Sequence, residues 1–345
     1  MHYPKFLQKN DTIGLVAPSF GCNQDPYATR LQSAIATLKS KGFFIKEGSN
    51  IRSYTKVASA NAQDRAKEFM DIYSDKQVNF VSSVGGGERM IEILDYIDFE
   101  VIKKITPKYF MGYSDNTVLT FTLTTICDIA TIYYVHTPTF GIIPWCRQIQ
   151  NGFNIIMGKK NKQLAYTECE VPSYSSLKNS EISKNYTTPI VYTGKTKWKT
   201  VNDIEVECSG LLIGGCLDVL QVLCGTKFAN ISTFQKKYSD TGFIWYLESC
   251  DLNAVATLRA LWQLKNSNFF VHVKGFLIGK PLISDDFMDL SYQEAVVSVL
   301  KDFNVPIIFD VNVGHVEPTI PMLNGFLAKV IHTKKESSIS FKKLV

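Results

Sequence analysis

Tyr109-Phe-Met-Gly-Tyr-Ser-Asp-Asn-Thr117 decides the fold of this chain, because it joins a strand to a helix through a very short turn. Pro107 precedes an apolar run that predicts a short strand, and a helix is predicted over residues 116–130. The turn between them, Gly112-Tyr-Ser114, would hold a serine hydroxyl at the edge of a sheet, as a nucleophile elbow does. The segment differs from the G-x-S-x-G elbow because Asn116 replaces the second glycine.

The same alternation of strands and helices extends in both directions from this turn. In the first half of the chain, the apolar patterns predict strands at 12–17, 43–45, 78–84 and 131–135 and helices at 27–41, 64–72 and 90–96. Strands that alternate with helices predict a parallel sheet with crossover helices. We therefore expect an α/β fold whose N-terminal domain is a three-layer unit built on a parallel sheet.

The composition and the periodicity of the chain change at residue 151. Residues 151–206 are rich in Lys, Ser, Thr, Asn and Tyr and have weak periodicity, which is typical of a linker with an inserted loop. Strand and helix patterns resume at Ser209-Gly-Leu-Leu-Ile-Gly-Gly215. We expect an N-terminal domain over residues 1–165, a linker and polar insert over 166–206, and a second, mixed α/β domain over 207–345.

The composition argues against several classes of protein. Lys and Arg number 37 against 32 Asp and Glu, a net charge of +5. No basic tract is longer than a pair, so we expect no nucleic-acid polymer as a partner. The first residues lack the pattern of a secretory signal, and no apolar run has the length of a bilayer span. We therefore expect a cytoplasmic protein without membrane contact.

Eight cysteines are scattered along the chain without a C-x-x-C pair or the spacing of metal ligands. Several lie in apolar runs, where cysteine is usually a small buried side chain. Without a signal peptide, a reducing compartment is the simpler expectation. We predict neither a metal site nor a cofactor.

A carboxylate and a histidine follow two other apolar strands. Glu248 ends the run Phe243-Ile-Trp-Tyr-Leu247, and His315 follows the last predicted strand of the α/β pattern. Ligands of open α/β sheets lie beyond the carboxyl ends of strands, where these side chains and Ser114 can meet. A serine nucleophile needs a base that takes its proton and a carboxylate that fixes the tautomer of that base. Of the five histidines, only His136 and His315 are credible bases.

Other roles for these residues stay open at this point. Ser114 or Asp115 can simply cap the helix, because Ser and Asp are common at helix N-termini. The turn Ser83-Val-Gly-Gly-Gly87 can present backbone N–H groups to an oxyanion, or can be only a strand-to-helix turn. It lacks the G-x-G-x-x-G pattern of dinucleotide sites. A non-catalytic small-molecule or nucleotide-binding protein is therefore the alternative from another class.

Taken together and in order, these motifs resemble the LD-carboxypeptidase family of serine peptidases, including its microcin C self-immunity branch. The resemblance covers most of the chain. It rests on Asp11-Thr-Ile-Gly-Leu-Val-Ala-Pro-Ser19, Gly86-Gly87 with Ile93-Leu-Asp-Tyr-Ile-Asp98, Pro107-Lys-Tyr-Phe-Met-Gly-Tyr-Ser-Asp115, Ile213-Gly-Gly-Cys-Leu217, Tyr246-Leu-Glu-Ser249, and Gly314-His315 with Pro318 and Pro321.

The resemblance implies that Ser114 is the nucleophile, His315 the general base and Glu248 its orienting carboxylate. It also implies oxyanion donors from the backbone N–H of Asp115 and of the Gly86-Gly87 turn, an acyl-enzyme intermediate, and no metal or cofactor. Family members release D-alanine from a murein tetrapeptide, whereas the immunity branch cleaves an amide between an aminoacyl or peptidyl group and a nucleotide-like moiety. The resemblance further implies a homodimer with its site near the domain boundary.

Some features depart from the family pattern or qualify it. Cys216 stands where the family usually has Asn, and Thr137 follows His136 where His-Gly-Pro is common. Both differences concern the shape of the substrate pocket. The polar insert over 171–206 is similar to the immunity branch, and its Trp198 can stack on a base or, more commonly, anchor the loop.

An ordinary esterase of the α/β-hydrolase type also fits the order Ser, Glu, His, but the second elbow glycine is missing.

Overall fold

The computed structural model of the chain describes residues 1–171 and 185–344. In these residues the α-helices are α1 (Tyr27–Ser40), α2 (Ala62–Ser74), α3 (Phe99–Lys104), α4 (Thr117–Cys127), α5 (Arg147–Ile156), α6 (Leu217–Leu223), α7 (Ser232–Lys237), α8 (Ala254–Asn266) and α9 (Tyr292–Leu300). The strands are β1 (Thr12–Val16), β2 (Phe44–Glu47), β3 (Phe80–Ser83), β4 (Tyr109–Gly112), β5 (Thr131–Tyr133), β6 (Lys162–Leu164), β7 (Glu168–Cys169), β8 (Gly194–Lys195), β9 (Lys199–Thr200), β10 (Val206–Cys216), β11 (Phe243–Glu248), β12 (Val273–Gly279), β13 (Ile307–Val311), β14 (Met322–Asn324), β15 (Leu327–His332) and β16 (Ser337–Lys342). No helix in the described ranges is both long and apolar enough to cross a membrane.

A six-stranded sheet forms the centre of the N-terminal part, in the order β14-β5-β4-β3-β1-β2. Strands β1 to β5 run parallel, and β14 pairs antiparallel with β5. Apolar side chains leave the strands on both faces, as a sheet covered on both sides requires. On one face Leu15 packs with α1 and α5, and on the other Val16 packs with α2 and α4. The predicted three-layer parallel α/β domain is confirmed.

The second sheet has eight strands in the order β6-β16-β15-β10-β11-β12-β13-β9. Strands β10 to β13 are parallel to one another, whereas the flanking strands β15, β16, β6 and β9 pair antiparallel. Helices α6 to α9 cover one face, where Leu217, Phe234, Leu261 and Val296 share a core with Trp245 of β11. The prediction of a second, mixed α/β domain is confirmed.

Local side-chain signals determine where several helices begin. The side chains of Asn61 and Asn253 accept hydrogen bonds from first-turn N–H groups of α2 and α8. Ser291 and Glu294 form a capping box at the start of α9. The helix predicted before the nucleophile turn is a 3-10 helix, Met90–Tyr96.

Part of the polar segment between the domains belongs to the second sheet. β9 pairs with β13 at the edge of that sheet, whereas β7 and β8 pair with each other in a separate two-stranded sheet. Trp198 is fully buried, and its indole N–H donates to Asn312 Oδ1 at 2.9 Å. The indole therefore anchors this segment and has no free face for stacking on a base. The part of the predicted insert over 172–184 lies outside the described residues.

The predicted domain boundaries at residues 165 and 206 stay predictions. β6 lies before residue 165 and is the edge strand of the second sheet, because it pairs with β16 near the C-terminus. In the opposite direction, β14 leaves the C-terminal half and completes the first sheet beside β5. The chain thus crosses between the two sheets more than once.

The two sheets are joined through α4. Phe121 of this helix stacks on Phe269 with ring centroids 6.0 Å apart, and it also contacts Trp245. At the start of the helix, Thr117 Oγ1 accepts a hydrogen bond from the Cys216 N–H at 2.9 Å. Because β4 leads into α4 and Cys216 ends β10 beside β11, these contacts bring the carboxyl ends of strands from both sheets together.

Candidate active site

The turn after β4 has the geometry of a nucleophile elbow. Ser114 begins a 3-10 turn, Ser114–Asn116, and α4 follows directly. Its φ is +61°, in the left-handed region that non-glycine residues adopt rarely. Asn116, at the position of the missing elbow glycine, is buried and its amide donates to Gly85 O at 2.9 Å. This asparagine therefore ties the elbow to the glycine turn.

Ser114, His315 and Glu248 form a hydrogen-bonded chain, which we call the Ser-His-Glu array. His315 Nε2 lies 2.9 Å from Ser114 Oγ, and His315 Nδ1 lies 2.8 Å from Glu248 Oε2. Because a carboxylate only accepts hydrogen bonds, Nδ1 carries a proton and donates it. Nε2 of the neutral imidazole is then free to accept the Ser114 hydroxyl proton.

A glycine allows this close approach. Gly314, directly before the histidine, has φ +107°. A Cβ at this position would lie 2.6 Å from Glu248 Oε2 and 2.7 Å from Glu248 Cβ. Any larger residue would therefore push the His315 loop away from the carboxylate.

Glu248 and His315 shift each other's pKa toward the charged form. Glu248 is only 1% exposed, and burial alone would raise its pKa, but His315 and the donors around the carboxylate hold that pKa below its usual value. Burial alone would lower the pKa of His315, but the Glu248 carboxylate raises it well above the usual value. Glu248 is thus an ionised partner that makes the imidazole a stronger base.

His136, the second candidate base, lies beside the site without contacting the serine hydroxyl. Its Nε2 lies 3.1 Å from Tyr113 O and 3.0 Å from Asn116 Nδ2. Burial lowers the pKa of His136 to about 3, so its imidazole is neutral. Its ring packs against that of Tyr113 at an angle of 35°, with centroids 4.4 Å apart. The geometry makes His136 part of the wall beside the elbow.

Asp115 has a side chain that serves the structure of the turn. Its carboxylate is buried, and it accepts hydrogen bonds from Ser19 Oγ and from the Met90 N–H at 2.9 Å. Burial raises the pKa of Asp115 despite these donors. The carboxylate thereby joins the end of β1 and the 3-10 helix after the glycine turn to the elbow.

The glycine turn faces the serine. A Cβ on Gly86 would lie 3.3 Å from Ser114 Cβ and 3.4 Å from Ser114 Oγ. In the described parts of the chain, no residue accepts a hydrogen bond from the backbone N–H of Gly86, Gly87 or Asp115. Of the predicted oxyanion donors, Asp115 and Gly86 are therefore close to the serine, and all three N–H groups are free of described acceptors.

Tyr133 is a site residue that the sequence analysis missed. Its hydroxyl donates to Glu248 Oε1 and accepts a hydrogen bond from the Ser114 N–H at 2.9 Å. The only available signal was a tyrosine near the carboxyl end of a predicted buried strand, where its hydroxyl needs a partner. That signal does not say which partner, because Glu248 lies 115 residues further along the chain.

A metal centre has no support in this arrangement. Within residues 1–171 and 185–344, no group of three or more His, Cys, Asp or Glu side chains could hold a metal ion.

Sequence profiles of one family match both halves of the chain. The profile described as the LD-carboxypeptidase N-terminal domain matches residues 13–134, and the profile of the LD-carboxypeptidase C-terminal domain matches residues 209–330. Together they span more than half of the 345 residues. The chain belongs to the LD-carboxypeptidase family. It is therefore a peptidase, which removes the non-catalytic binding protein and the ordinary α/β-hydrolase esterase as alternatives.

Curated relatives align with almost the whole chain. A putative carboxypeptidase of Vibrio cholerae is 25% identical over 324 residues, with 93% of this chain and 92% of the relative covered. A probable murein peptide carboxypeptidase of Bacillus subtilis is 23% identical, with coverages of 97% and 93%. The microcin C7 self-immunity protein of Escherichia coli is also 23% identical, with coverages of 97% and 94%.

Solved structures share the fold. The crystal structure of an MccF-like protein from Bacillus anthracis superposes with a TM-score of 0.82 at 22% identity and covers 100% of both chains. A structure of MccF in complex with glutamyl sulfamoyl guanosine superposes with a TM-score of 0.78 at 20% identity and covers 99% of both chains. At these identities the likeness establishes the fold of the chain.

The two departures from the family motifs have different surroundings, since Cys216 pairs with Glu248 of the Ser-His-Glu array whereas Thr137 contacts the end of β3. Cys216 is buried opposite Glu248 in the pairing of β10 with β11, and its Sγ lies 3.4 Å from Asp218 Oδ2. Thr137 is buried, and its hydroxyl donates to Ser83 O at 3.1 Å at the end of β3. Both side chains are thus held by neighbouring elements of the site.

Proposed function

We propose that this peptidase is a serine carboxypeptidase that hydrolyses an amide bond through a covalent acyl-enzyme. The observation that carries the proposal is the continuous chain of hydrogen bonds from Ser114 Oγ through His315 to Glu248. The left-handed backbone at Ser114 supports it, because strained residues of this kind cluster at active sites.

In the proposed reaction, Ser114 Oγ attacks the amide carbonyl carbon while His315 Nε2 takes the hydroxyl proton. The resulting imidazolium is stabilised by the Glu248 carboxylate. When the tetrahedral intermediate collapses, the C–N bond breaks and His315 gives its proton to the leaving amine. A water molecule then attacks the acyl-enzyme by the same route, which releases the acid and restores the Ser114 hydroxyl.

The oxyanion would lie between the elbow and the glycine turn. The backbone N–H groups of Asp115 and of the Gly86-Gly87 turn are the proposed donors, because Asp115 follows Ser114 directly, Gly86 lies beside it, and none of these N–H groups is bound to another described residue. The N–H of Ser114 itself is occupied by Tyr133. The N-terminus of α4 adds a positive dipole end on the same side.

Two substrate classes are candidates, and relatives of equal identity carry both names. The first is a murein tetrapeptide, from which terminal D-alanine would be released. The second is an aminoacyl or peptidyl nucleotide conjugate, and a solved structure of MccF holds glutamyl sulfamoyl guanosine. Both present a carbonyl carbon to the same nucleophile, so the catalytic proposal holds for either.

A side-by-side assay separates the two classes. Purified protein is incubated with a murein tetrapeptide and with glutamyl sulfamoyl adenosine, and the products are followed by chromatography and mass spectrometry. We expect hydrolysis of at least one substrate by the wild type and none above background by Ser114→Ala. Turnover of either substrate by a folded Ser114→Ala protein would overturn the proposed role of Ser114.

We further propose that the protein acts as a homodimer in the cytoplasm. Light scattering on a size-exclusion column measures the first property. A mass of one chain, 38.9 kDa, at all accessible concentrations would contradict the dimer.

A further inference from the structure

The hydroxyl group of Tyr133 contacts both Ser114 and Glu248, the two ends of the Ser-His-Glu array. Tyr133 ends β5 in the first sheet and is 1% exposed. Its Oη accepts a hydrogen bond from the Ser114 N–H at 2.9 Å and donates to Oε1 of Glu248, the residue that ends β11 in the second sheet. The other carboxylate oxygen of Glu248 accepts from His315.

The direction of each hydrogen bond follows from the chemistry of the groups. A backbone N–H only donates and a carboxylate only accepts, whereas a phenol has one proton and two lone pairs. Tyr133 must therefore accept from Ser114 and donate to Glu248. Burial and the nearby carboxylate raise the pKa of Tyr133 well above its usual value, so the proton stays on the phenol.

We propose that Tyr133 is a positioning residue of the catalytic array. Its hydroxyl holds the Glu248 carboxylate in the rotamer that faces His315, and it holds the backbone of Ser114 in the conformation that presents Oγ to His315. The inference rests on the proposed function, because it assigns a role relative to that reaction.

The geometry explains why such a residue is needed. Ser114 and Glu248 come from different sheets, and the serine has the left-handed φ of +61°. Without the phenol, Glu248 Oε1 would lose a charge-assisted hydrogen bond in a buried position, and the Ser114 N–H would lose its acceptor. Both losses would loosen the alignment of Oγ with the imidazole, which affects the chemical step more than substrate binding.

The Tyr133 hydroxyl also affects the pKa of His315, the proposed base. A donor to Glu248 Oε1 withdraws charge from the carboxylate, so its removal should make Glu248 a stronger partner for His315. The substitution leaves in place the other titratable groups that interact with the pair, which are Glu88, Tyr113, His136, Cys216, Tyr246, Cys250 and Tyr292. Loss of the Tyr133 hydroxyl should therefore raise the pKa of His315. The acid limb of kcat/KM, which is the rise of kcat/KM with pH as His315 loses its proton, should then move to higher pH.

The chain offers a matched control for this test. Tyr246 is also fully buried, and its ring centroid lies 5.4 Å from that of Tyr133. Its hydroxyl donates to Asn324 Oδ1 at 2.9 Å, outside the Ser-His-Glu array. Tyr246→Phe thus removes an equivalent buried hydroxyl without touching Ser114, His315 or Glu248.

The experiment compares Tyr133→Phe and Tyr246→Phe with the wild type on whichever proposed substrate the wild type hydrolyses. For Tyr133→Phe we expect a decrease in kcat of about 10–100-fold, a KM within about threefold, and an acid limb at higher pH. For Tyr246→Phe we expect kcat within about threefold of the wild type. An unchanged kcat in folded Tyr133→Phe, or an equal loss in both variants, would overturn the proposal.

A second substitution covers the case in which Tyr133→Phe does not fold. Fluorotyrosine incorporated at position 133 keeps the hydroxyl and makes it a stronger donor, so the acid limb should move to lower pH. An acid limb identical to that of the wild type would overturn the proposal. Failure of the proposed function looks different, because then Ser114→Ala would retain the wild-type activity.

Discussion

Replacement of Glu248 by Gln removes one charge from the Ser-His-Glu array and leaves its shape nearly unchanged. Glu248 is 1% exposed, and its two oxygens accept hydrogen bonds from Tyr133 and His315. Gln has the same number of heavy atoms, and with its carbonyl toward His315 Nδ1 its amide NH₂ faces Tyr133, which can then no longer donate at that position. The variant therefore reports on the charge of the carboxylate together with its hydrogen bond from Tyr133.

The expected loss of activity follows from the position of that charge. In the proposed reaction His315 becomes positive, and its Nδ1 lies 2.8 Å from Glu248 Oε2 in a buried site. Loss of the carboxylate charge at a triad should lower kcat/KM by about 10³–10⁴-fold, which corresponds to about 4–5.5 kcal/mol of transition-state stabilisation. An exposed ion pair would contribute far less.

The pH profile gives an independent readout of the same change. Activity requires neutral His315, so kcat/KM of the wild type rises with pH as the imidazole loses its proton. Burial lowers the pKa of His315 and the Glu248 carboxylate raises it, with the carboxylate prevailing. In Glu248→Gln the largest raising influence is removed while burial and the smaller raising influence of Cys250 remain, so the acid limb should move to lower pH.

The assay measures kcat/KM of both proteins across about pH 5–9, with circular dichroism as a check on folding. A folded Glu248→Gln protein within about tenfold of the wild type, with an unmoved acid limb, would refute the reasoning. It would show that Glu248 is not the partner of the catalytic base.

Three further predictions concern the surroundings of the array. His136→Gln should keep kcat within about tenfold of the wild type, whereas His315→Gln should lose about 10⁴-fold; similar losses in both would contradict the choice of base. Gly86→Ala should lower kcat by about 10–100-fold, because its Cβ would lie 3.4 Å from Ser114 Oγ where the oxyanion forms; a normal kcat would place the oxyanion elsewhere. Glu317, two residues after His315, accepts a hydrogen bond from the Tyr192 hydroxyl at 3.2 Å. Burial raises the pKa of Glu317 to about 7, so its contribution to folding stability is complete below about pH 4.5 and is lost as the pH rises through 7. Glu317→Gln should therefore be more stable than the wild type at about pH 8, by about 3 kcal/mol, and no more stable at about pH 4; thermal unfolding at both pH values checks this difference.

The sequence predicted those features whose signals are local. The elbow is encoded in consecutive residues, since β4, Ser114 and α4 follow one another without a gap. The parallel sheet follows from alternating apolar runs and helical patterns. Glu248 and His315 could be singled out because each follows a buried strand, where a polar side chain has few structural reasons to be.

Features that depend on contacts between residues distant in sequence could not be predicted from local patterns. The hydroxyl of Tyr133 meets Glu248 over a separation of 115 residues, and no pattern near Tyr133 specifies that partner. The pairing of β14 with β5 likewise joins distant parts of the chain. For Trp198, anchoring of the loop was the commoner expectation, but its partner Asn312 lies 114 residues away and no pattern near Trp198 specifies it.

The proposed reaction requires that Ser114 becomes acylated, with His315 as its base. A fluorophosphonate probe followed by intact-protein and peptide mass spectrometry detects such a covalent adduct. We predict one adduct per chain, located on Ser114, absent from Ser114→Ala and formed much more slowly by His315→Gln. A wild-type protein that hydrolyses its substrate while Ser114 stays unmodified, or that is modified equally well in Ser114→Ala, would contradict it.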